Sequence, residues 1–255
     1  MKYCDICSTS CSIFNYDEHL RGKKHSKLLI TKEEKKLYEI YTEVLKQVEL
    51  KNIMSQNSHF LQKIIISLRN IKKYVTYTDE DTDSSFDILK EANNLNKGFF
   101  AKNTVGDGNC FYRSVSYILF GTEDNFYIIK LCCIFISYEY ENFFTDYMKK
   151  TFFEESYNEF FKKICKKNEW ADELVFVSAA ILLNRPIFSF SVNKKSRKPF
   201  VQKFCFKVND VKPILIGYQE NHFVPILQKE NHMLPKNIKY FEVMIGISLN
   251  IDLYC

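Results

Sequence analysis

The sequence predicts an α+β fold, a small central sheet flanked by helices, preceded by a small ββα-type zinc-finger module and a helical linker. Three observations carry this. Apolar residues recur at helical spacing through most of residues 31–184, and after Pro186 the period shortens to the alternation of strands. The first 30 residues hold Cys4-x2-Cys7 and, eleven residues later, His19-x5-His25, a Cys2His2 ligand pattern. A polar turn, Gly106-Asp107-Gly108-Asn109, runs straight into a helical pattern that opens with Cys110 and continues through Phe111, Val115, Ile118 and Leu119 to a capping Gly121.

The composition sets bounds on this plan. At 255 residues the chain suffices for one sizeable domain and a small module. Hydrophobic residues make up 46%, with 23 Phe, 16 Tyr and only 7 Gly, which argues for a packed core and against disorder. A net charge of +5 is only mildly basic and does not by itself imply nucleic-acid binding. The nine cysteines are odd in number and irregular in spacing, and Cys4 and Cys7 occupy the place of a secretory signal. A reducing intracellular compartment, nucleus or cytoplasm, without a disulfide framework is therefore expected. The most apolar run, Phe126 to Ser137, is interrupted by Lys130 and falls short of the roughly 20 residues that span a bilayer. It predicts a buried helix and no membrane partner.

Residues 1–30 are expected to form the finger. Zinc takes four ligands in a tetrahedron: Cys4 and Cys7 supply one edge, and His19 and His25 on a helix supply the other. So short a piece cannot bury enough surface to fold alone, so the zinc ion is a structural cofactor, and none is expected for catalysis. Cys11 lies on the wrong side of the knuckle to replace a ligand. Arg21, Lys23, Lys24 and Lys27 cluster on its second half, either to contact phosphates or as a solvated face.

Residues 31–85 form the linker. Leu37, Ile40, Tyr41, Val44, Leu45 and Val48 make one helical stripe and Leu61, Ile64, Ile65, Leu68 and Ile71 a second, as in a hairpin that docks on the main domain. The acidic run over residues 78–87 reads as an exposed loop at the domain boundary. The main domain covers residues 86–230, with helices over roughly 110–120, 125–140, 143–165 and 170–184 and strands over 187–192, 201–208, 214–216 and 223–227. Residues 231–255 are a C-terminal extension, apolar enough from Tyr240 to Leu253 to add a strand.

Chemistry concentrates at Cys110. A helix N-terminus presents unpaired N–H groups and a positive dipole end, which lower a thiol's pKa and make it a nucleophile. The two glycines let the preceding loop fold tightly and turn N–H groups inward, as an oxyanion hole requires. Outside the finger only His59, His222 and His232 remain, and His222 stands directly before the strand pattern Phe223-Val224-Pro225-Ile226.

Asp107-Gly108-Asn109-Cys110-Phe111-Tyr112-Arg113-Ser114-Val115-Ser116 closely resembles the nucleophile motif of the ovarian-tumour (OTU) family of cysteine proteases, which are deubiquitinases. Two further segments fit in the right order: Trp170-Ala171-Asp172-Glu173-Leu174, continuing to Ala179-Ala180 and Asn184-Arg185-Pro186-Ile187, and Asn221-His222-Phe223-Val224-Pro225-Ile226. The resemblance implies a papain-type thiol protease domain in which Cys110 attacks a carbonyl carbon and His222 serves as its base and then acid. Ubiquitin or a ubiquitin conjugate is the implied partner. Many members place the acceptor that orients the histidine two residues after it, where this chain has Val224. Asp107 is the first choice for that role, against a reading as a loop-structuring aspartate, and Asn221 is the lesser candidate. An aspartate at 224 would restore the commoner acceptor. The segment from His19 to Lys27 resembles the matrin-type finger, which usually has one more residue before the first histidine, and implies RNA, DNA or a protein as a further partner. The rival reading is a nucleic-acid-binding zinc-finger protein of mobile-element or viral type, whose OTU-like domain is inactive or acts on another modifier.

The ligand spacing predicts about one zinc per chain. Elemental analysis of the double variant Cys4→Ser, Cys7→Ser is expected to find the zinc lost while residues 86–230 stay folded; full retention would remove the assignment.

Overall fold

The computed structural model describes residues 2–4, 9–11, 30, 32–71, 74–77, 86–95, 98–151, 153–192, 198–205, 212–230, 232, 234 and 241–244. At the N-terminus, β1 (Lys2–Cys4) pairs antiparallel with β2 (Thr9–Cys11), with Cys4 opposite Thr9. Cys7, His19 and His25 lie outside the described residues, as do Arg21, Lys23, Lys24 and Lys27 and the side chain of Cys4.

The two predicted stripes of the linker become three helices, α1 (Glu34–Leu45), α2 (Leu50–Gln56) and α3 (Ser58–Arg69). The first stripe ends early because Gln47 and Glu49 take left-handed backbone angles, φ 57° and 49°, which no helix continues through. Leu37, Ile40, Val44, Leu61, Ile64 and Leu68 are buried in the core shared with the helices that follow, so this segment is built into the main body.

α4 (Asp87–Ala92) and the short β3 (Phe99–Ala101) lead to α5 (Cys110–Phe120) and α6 (Phe126–Glu139). α6 is buried along most of its length, as its run of apolar residues requires, and carries the fully buried Lys130. The single helix expected over 143–165 is two, α7 (Glu141–Lys150) and α8 (Tyr157–Ile164). Ser156 stops the first pattern and starts the second: its hydroxyl accepts the Glu159 N–H while the Glu159 carboxylate accepts the Ser156 N–H, a capping box. α9 (Glu173–Leu183) begins at Asp172, whose carboxylate accepts the Val175 N–H at 3.1 Å, and ends at Asn184 in the left-handed region.

After Pro186 come β4 (Ile187–Val192), β5 (Pro199–Cys205), β6 (Ile214–Gln219), β7 (His222–Gln228) and β8 (Phe241–Met244). With β3 they form one six-stranded sheet in the order β3-β7-β6-β4-β5-β8. β4–β6 and β5–β8 are parallel and the other neighbours antiparallel. One face of the sheet packs Ile216, Phe204, Phe223 and Leu227 on the helices, and the other packs Val224, Ile226, Phe190 and Leu215 beside Phe86 and Leu89. Val224 is wholly buried in this second layer. An aspartate there would bury a carboxylate among apolar groups, so the expected restoration of an acceptor by Val224→Asp does not suit this fold.

Among the described residues no helix is long and apolar enough to cross a membrane. Their cysteines with placed side chains, Cys110, Cys132, Cys133, Cys165 and Cys205, are all buried, and none of them is in a disulfide.

Two arginines join the N-terminal helices to the rest. Arg69, ending α3, donates from Nε to the Leu182 carbonyl and from Nη2 to the Ile181 carbonyl, each at 2.9 Å. Arg185 in turn donates to the carbonyls of Arg69 at 3.1 Å and Ile71 at 2.7 Å. Each arginine donates to carbonyls at or just past the end of the helix beside the other. Arg69→Ala is expected to lower the unfolding free energy by about 2 kcal/mol, as two part-buried hydrogen bonds from the guanidinium are lost; chemical denaturation followed by circular dichroism measures it.

Candidate active site

Cys110 is the first residue of α5 and only 3% exposed. The helix is seated by its neighbour Phe111, whose ring lies 4.4 Å from that of Phe176 on α9 and 5.8 Å from that of Phe223 on β7. This brings the Cys110 Sγ to 3.5 Å from the Phe223 N–H, which donates to it. The N–H groups of Phe111 and Cys110 itself also favour the thiolate, as a helix N-terminus should. Burial opposes them and prevails, pushing the thiol's pKa up, so the lowered value expected from the helix position alone is not what the site has at rest.

His222 begins β7, next to the residue that contacts Cys110. β6 and β7 are joined by Glu220 and Asn221, both at positive φ, 55° and 64°, the two-residue turn of type I′ that matches strand twist. Asn221 is thus a turn residue, and its Oδ1 accepts the Tyr218 hydroxyl at 3.0 Å. The His222 ring meets a segment the sequence did not single out. β3 runs antiparallel to β7, and the pairing continues past it: the Lys102 N–H donates to the Pro225 carbonyl and the Thr104 hydroxyl to the Phe223 carbonyl. Asn103 is thereby carried to the imidazole, its Oδ1 lying 3.1 Å from His222 Nε2, with Thr104 Oγ1 at 3.5 Å. The other ring nitrogen faces Gly106, where an added methyl would sit 3.7 Å from Nδ1. Burial lowers the His222 pKa, while a hydrogen bond with the Thr104 backbone and the nearby Glu123 charge work the other way. Glu123 also accepts the Val105 N–H at 2.9 Å, pinning the loop beside the ring.

Asp107 has a different geometry from the one expected of an orienting acid. Its carboxylate takes a bidentate pair from Arg113, Nε at 3.1 Å and Nη2 at 2.6 Å, and accepts the Asn109 N–H at 3.0 Å. Burial alone would raise its pKa, but the bonds from Arg113 and Asn109 hold it below the usual carboxylate range. The carboxylate is therefore committed to its own loop and to α5, one turn and a half further on, while the acceptor at His222 is an amide. The other histidines are remote in kind: His59 and His232 are exposed. Trp170 is half-exposed and Glu173 accepts the Tyr147 hydroxyl at 2.5 Å, in keeping with supporting roles.

The sequence missed Asn103, Thr104 and Glu123. The Phe99-Phe100-Ala101 run was the available signal, but three residues of strand carry no period to read.

Residues 105–223 match the model of the family described as OTU-like cysteine protease. A curated relative, OTU domain-containing protein 5 of Homo sapiens, is 22% identical over 127 residues, which are 49% of this chain and 21% of that protein. The chain thus spans about a fifth of the length of that relative. Among solved structures, the OTU domain of OTUD1 aligns at 15% identity over 57% of this chain and 95% of its own, with a TM-score of 0.48. The Hazara virus OTU bound to ubiquitin aligns at 16% identity over 51% of this chain and 81% of its own, with a TM-score of 0.42.

Burial disfavours both charges, so the resting pair is a thiol and a neutral imidazole at neutral pH. Iodoacetamide, which reacts with the thiolate, is expected to alkylate Cys110 slowly at neutral pH, and the rate should still be climbing at pH 9. A rate already on its plateau below pH 6.5 would reveal a stable thiolate–imidazolium pair instead.

Proposed function

We propose that the chain is a thiol-dependent deubiquitinase, cleaving peptide or isopeptide bonds at the C-terminus of ubiquitin, a reading that the match of residues 105–223 to the OTU-like cysteine protease model supports. The observation that carries the reading is the meeting of α5 and β7, with the Cys110 sulfur against the first residues of the strand that bears His222. The amide of Asn103 at Nε2 favours the tautomer with its proton on that nitrogen and frees Nδ1 as the base.

The steps follow from that placement. Nδ1 of His222 takes the thiol proton as Sγ of Cys110 attacks the carbonyl carbon. The loop over Asp107–Cys110 and the first turn of α5 supply N–H donors for the oxyanion, although the Asn109 N–H is already held by Asp107. The tetrahedral intermediate collapses as His222 gives the proton to the leaving lysine amine, and the C–N bond breaks to leave a thioester. Water, deprotonated by His222, then attacks the thioester; the ubiquitin carboxylate departs and the thiol is restored. Asn103 holds the ring through both proton transfers, and Asp107 holds the loop through Arg113.

Zinc in the N-terminal module belongs to the same proposal, held by Cys4, Cys7, His19 and His25. What supports it is the ligand spacing in the sequence, Cys4-x2-Cys7 followed by His19-x5-His25, with Cys4 at the end of a strand paired to β2. The module's role would be to direct the protease to RNA, DNA or a protein. What speaks against the rival reading, a nucleic-acid-binding protein with an inactive domain, is that the chain keeps both Cys110 and His222, with the Phe223 N–H at the Cys110 sulfur and the Asn103 amide at the His222 ring.

A ubiquitin probe with a C-terminal electrophile tests the activity. The native protein is expected to form a covalent adduct and Cys110→Ala none; a fully labelled Cys110→Ala protein would remove the thiol mechanism. On a fluorogenic ubiquitin amide, Asn103→Ala is expected to lower kcat about 10- to 100-fold with little change in KM, and Asp107→Asn less. The reverse order would return the orienting role to Asp107.

A further inference from the structure

A fully buried lysine stands at the centre of an apolar helix, and the mechanism above gives it nothing to do. Lys130 has no exposed surface, and its Nζ lies 5.3 Å from the centre of the Tyr112 ring. Burying an ammonium costs several kcal/mol unless all its protons are taken. Here they are: Nζ donates to Asn109 Oδ1 at 2.9 Å, to the Lys166 carbonyl at 2.6 Å and to the Lys167 carbonyl at 3.0 Å. A methionine would fill the same space in α6 without that burden.

The three acceptors show what the charge is for. Asn109 immediately precedes Cys110, and its Nδ2 donates onward to Asn168 Oδ1 at 3.2 Å. The same stretch presses on the loop directly, since a methyl added at Gly108, where φ is 79°, would lie 2.3 Å from the Asn168 carbonyl oxygen. Lys130 therefore joins two loops that have no strand or helix to register them, the one before the nucleophile and the one over residues 166–168.

We propose that Lys130 is a positioning residue for the nucleophile loop, tying Asn109 to the 166–168 segment so that the loop's N–H groups keep their aim on the developing oxyanion. This rests on the thiol-hydrolase reading above. It differs from a packing role because a displaced loop would impair the step that makes an oxyanion and spare a reaction that makes none.

A pH dependence accompanies it. Burial brings the Lys130 pKa down to about 8, against the opposing fields of Cys165, Glu169 and Asp107; Tyr112 presents its ring, and Arg113 is engaged by Asp107. Above that pH the neutral amine has two hydrogens for three acceptors, and one tie is lost. The loop is fully braced only on the acid side.

The test uses the full chain, a fluorogenic ubiquitin amide for hydrolysis, and iodoacetamide, whose displacement at carbon passes through no tetrahedral oxyanion. Lys130→Met and Asn109→Ala are each expected to lower kcat about 10- to 100-fold while KM changes less than about threefold and alkylation of Cys110 less than about twofold. The double variant should be no worse than the poorer single, since one tie is removed twice. The fall in native kcat above about pH 8 should disappear in Lys130→Met. Unchanged kcat in the single variants, losses of hydrolysis and alkylation by the same factor, or losses that multiply in the double variant would each overturn the proposal. If Lys130→Met does not fold, Asn109→Ala decides: lost hydrolysis with alkylation intact supports the brace, and unchanged hydrolysis overturns it. A native protein that hydrolyses no ubiquitin amide sinks the activity reading and the brace with it, whereas an active native protein with indifferent variants sinks the brace alone.

Discussion

The site depends on how Phe111 packs. Its ring is wholly buried between Phe176 and Phe223, so α5 has one seat on the sheet and one rotation about its own axis. Phe111 adjoins Cys110 on the helix, and Phe223 adjoins His222 on the strand. An apolar contact between two aromatic rings therefore brings together the chain segments that carry Cys110 and His222, the residues that precede them. The Phe223 N–H donated to the Cys110 sulfur is the polar counterpart of the same docking.

Polar ties then hold the loop that the packing leaves open. On one side Asp107 is clamped by Arg113, whose guanidinium lies 4.1 Å from the centre of the Phe126 ring. On the other side Asn109 is held by Lys130 and Asn168. Glu123 fixes Val105 where the loop begins. A loop so bound keeps its N–H donors oriented, which on the proposed hydrolase reading is where electrostatics would contribute most. The buried charges belong to this frame: Lys130 and the Arg69–Arg185 exchange each saturate carbonyls that irregular chain or helix ends expose. The N-terminal helices are joined to the main body through the second of these, so residues outside the matched segment 105–223 contribute to its stability.

Much of the plan was legible because it follows from local rules. The helix at Cys110, its capping Gly121, the buried helix after Phe126, the change to strands at Ile187 and the strand after His222 all appear at or within a few residues of where period and turn chemistry put them. The break at Ser156 was equally local, a Ser-x-x-Glu box that a long apolar pattern concealed. The candidate pair, Cys110 and His222, could be named because each sits at the start of an element whose pattern is strong.

What the sequence determined by itself was thus the order of elements and the residue at each one's end, since helix starts, turns and alternation are set by neighbours a few positions apart. The partners of those residues were decided only by tertiary structure. Asn103 reaches His222 because β3 pairs with β7 across more than a hundred residues of chain, and a strand of three residues announces no such register. Asp107 turns to Arg113 because α5 brings the guanidinium beneath the loop, and Val224 is closed to a carboxylate because the second apolar layer covers it. The thiol's protonation follows the same division: the helix terminus, visible in the sequence, favours the anion, and burial, which only the folded chain creates, outweighs it.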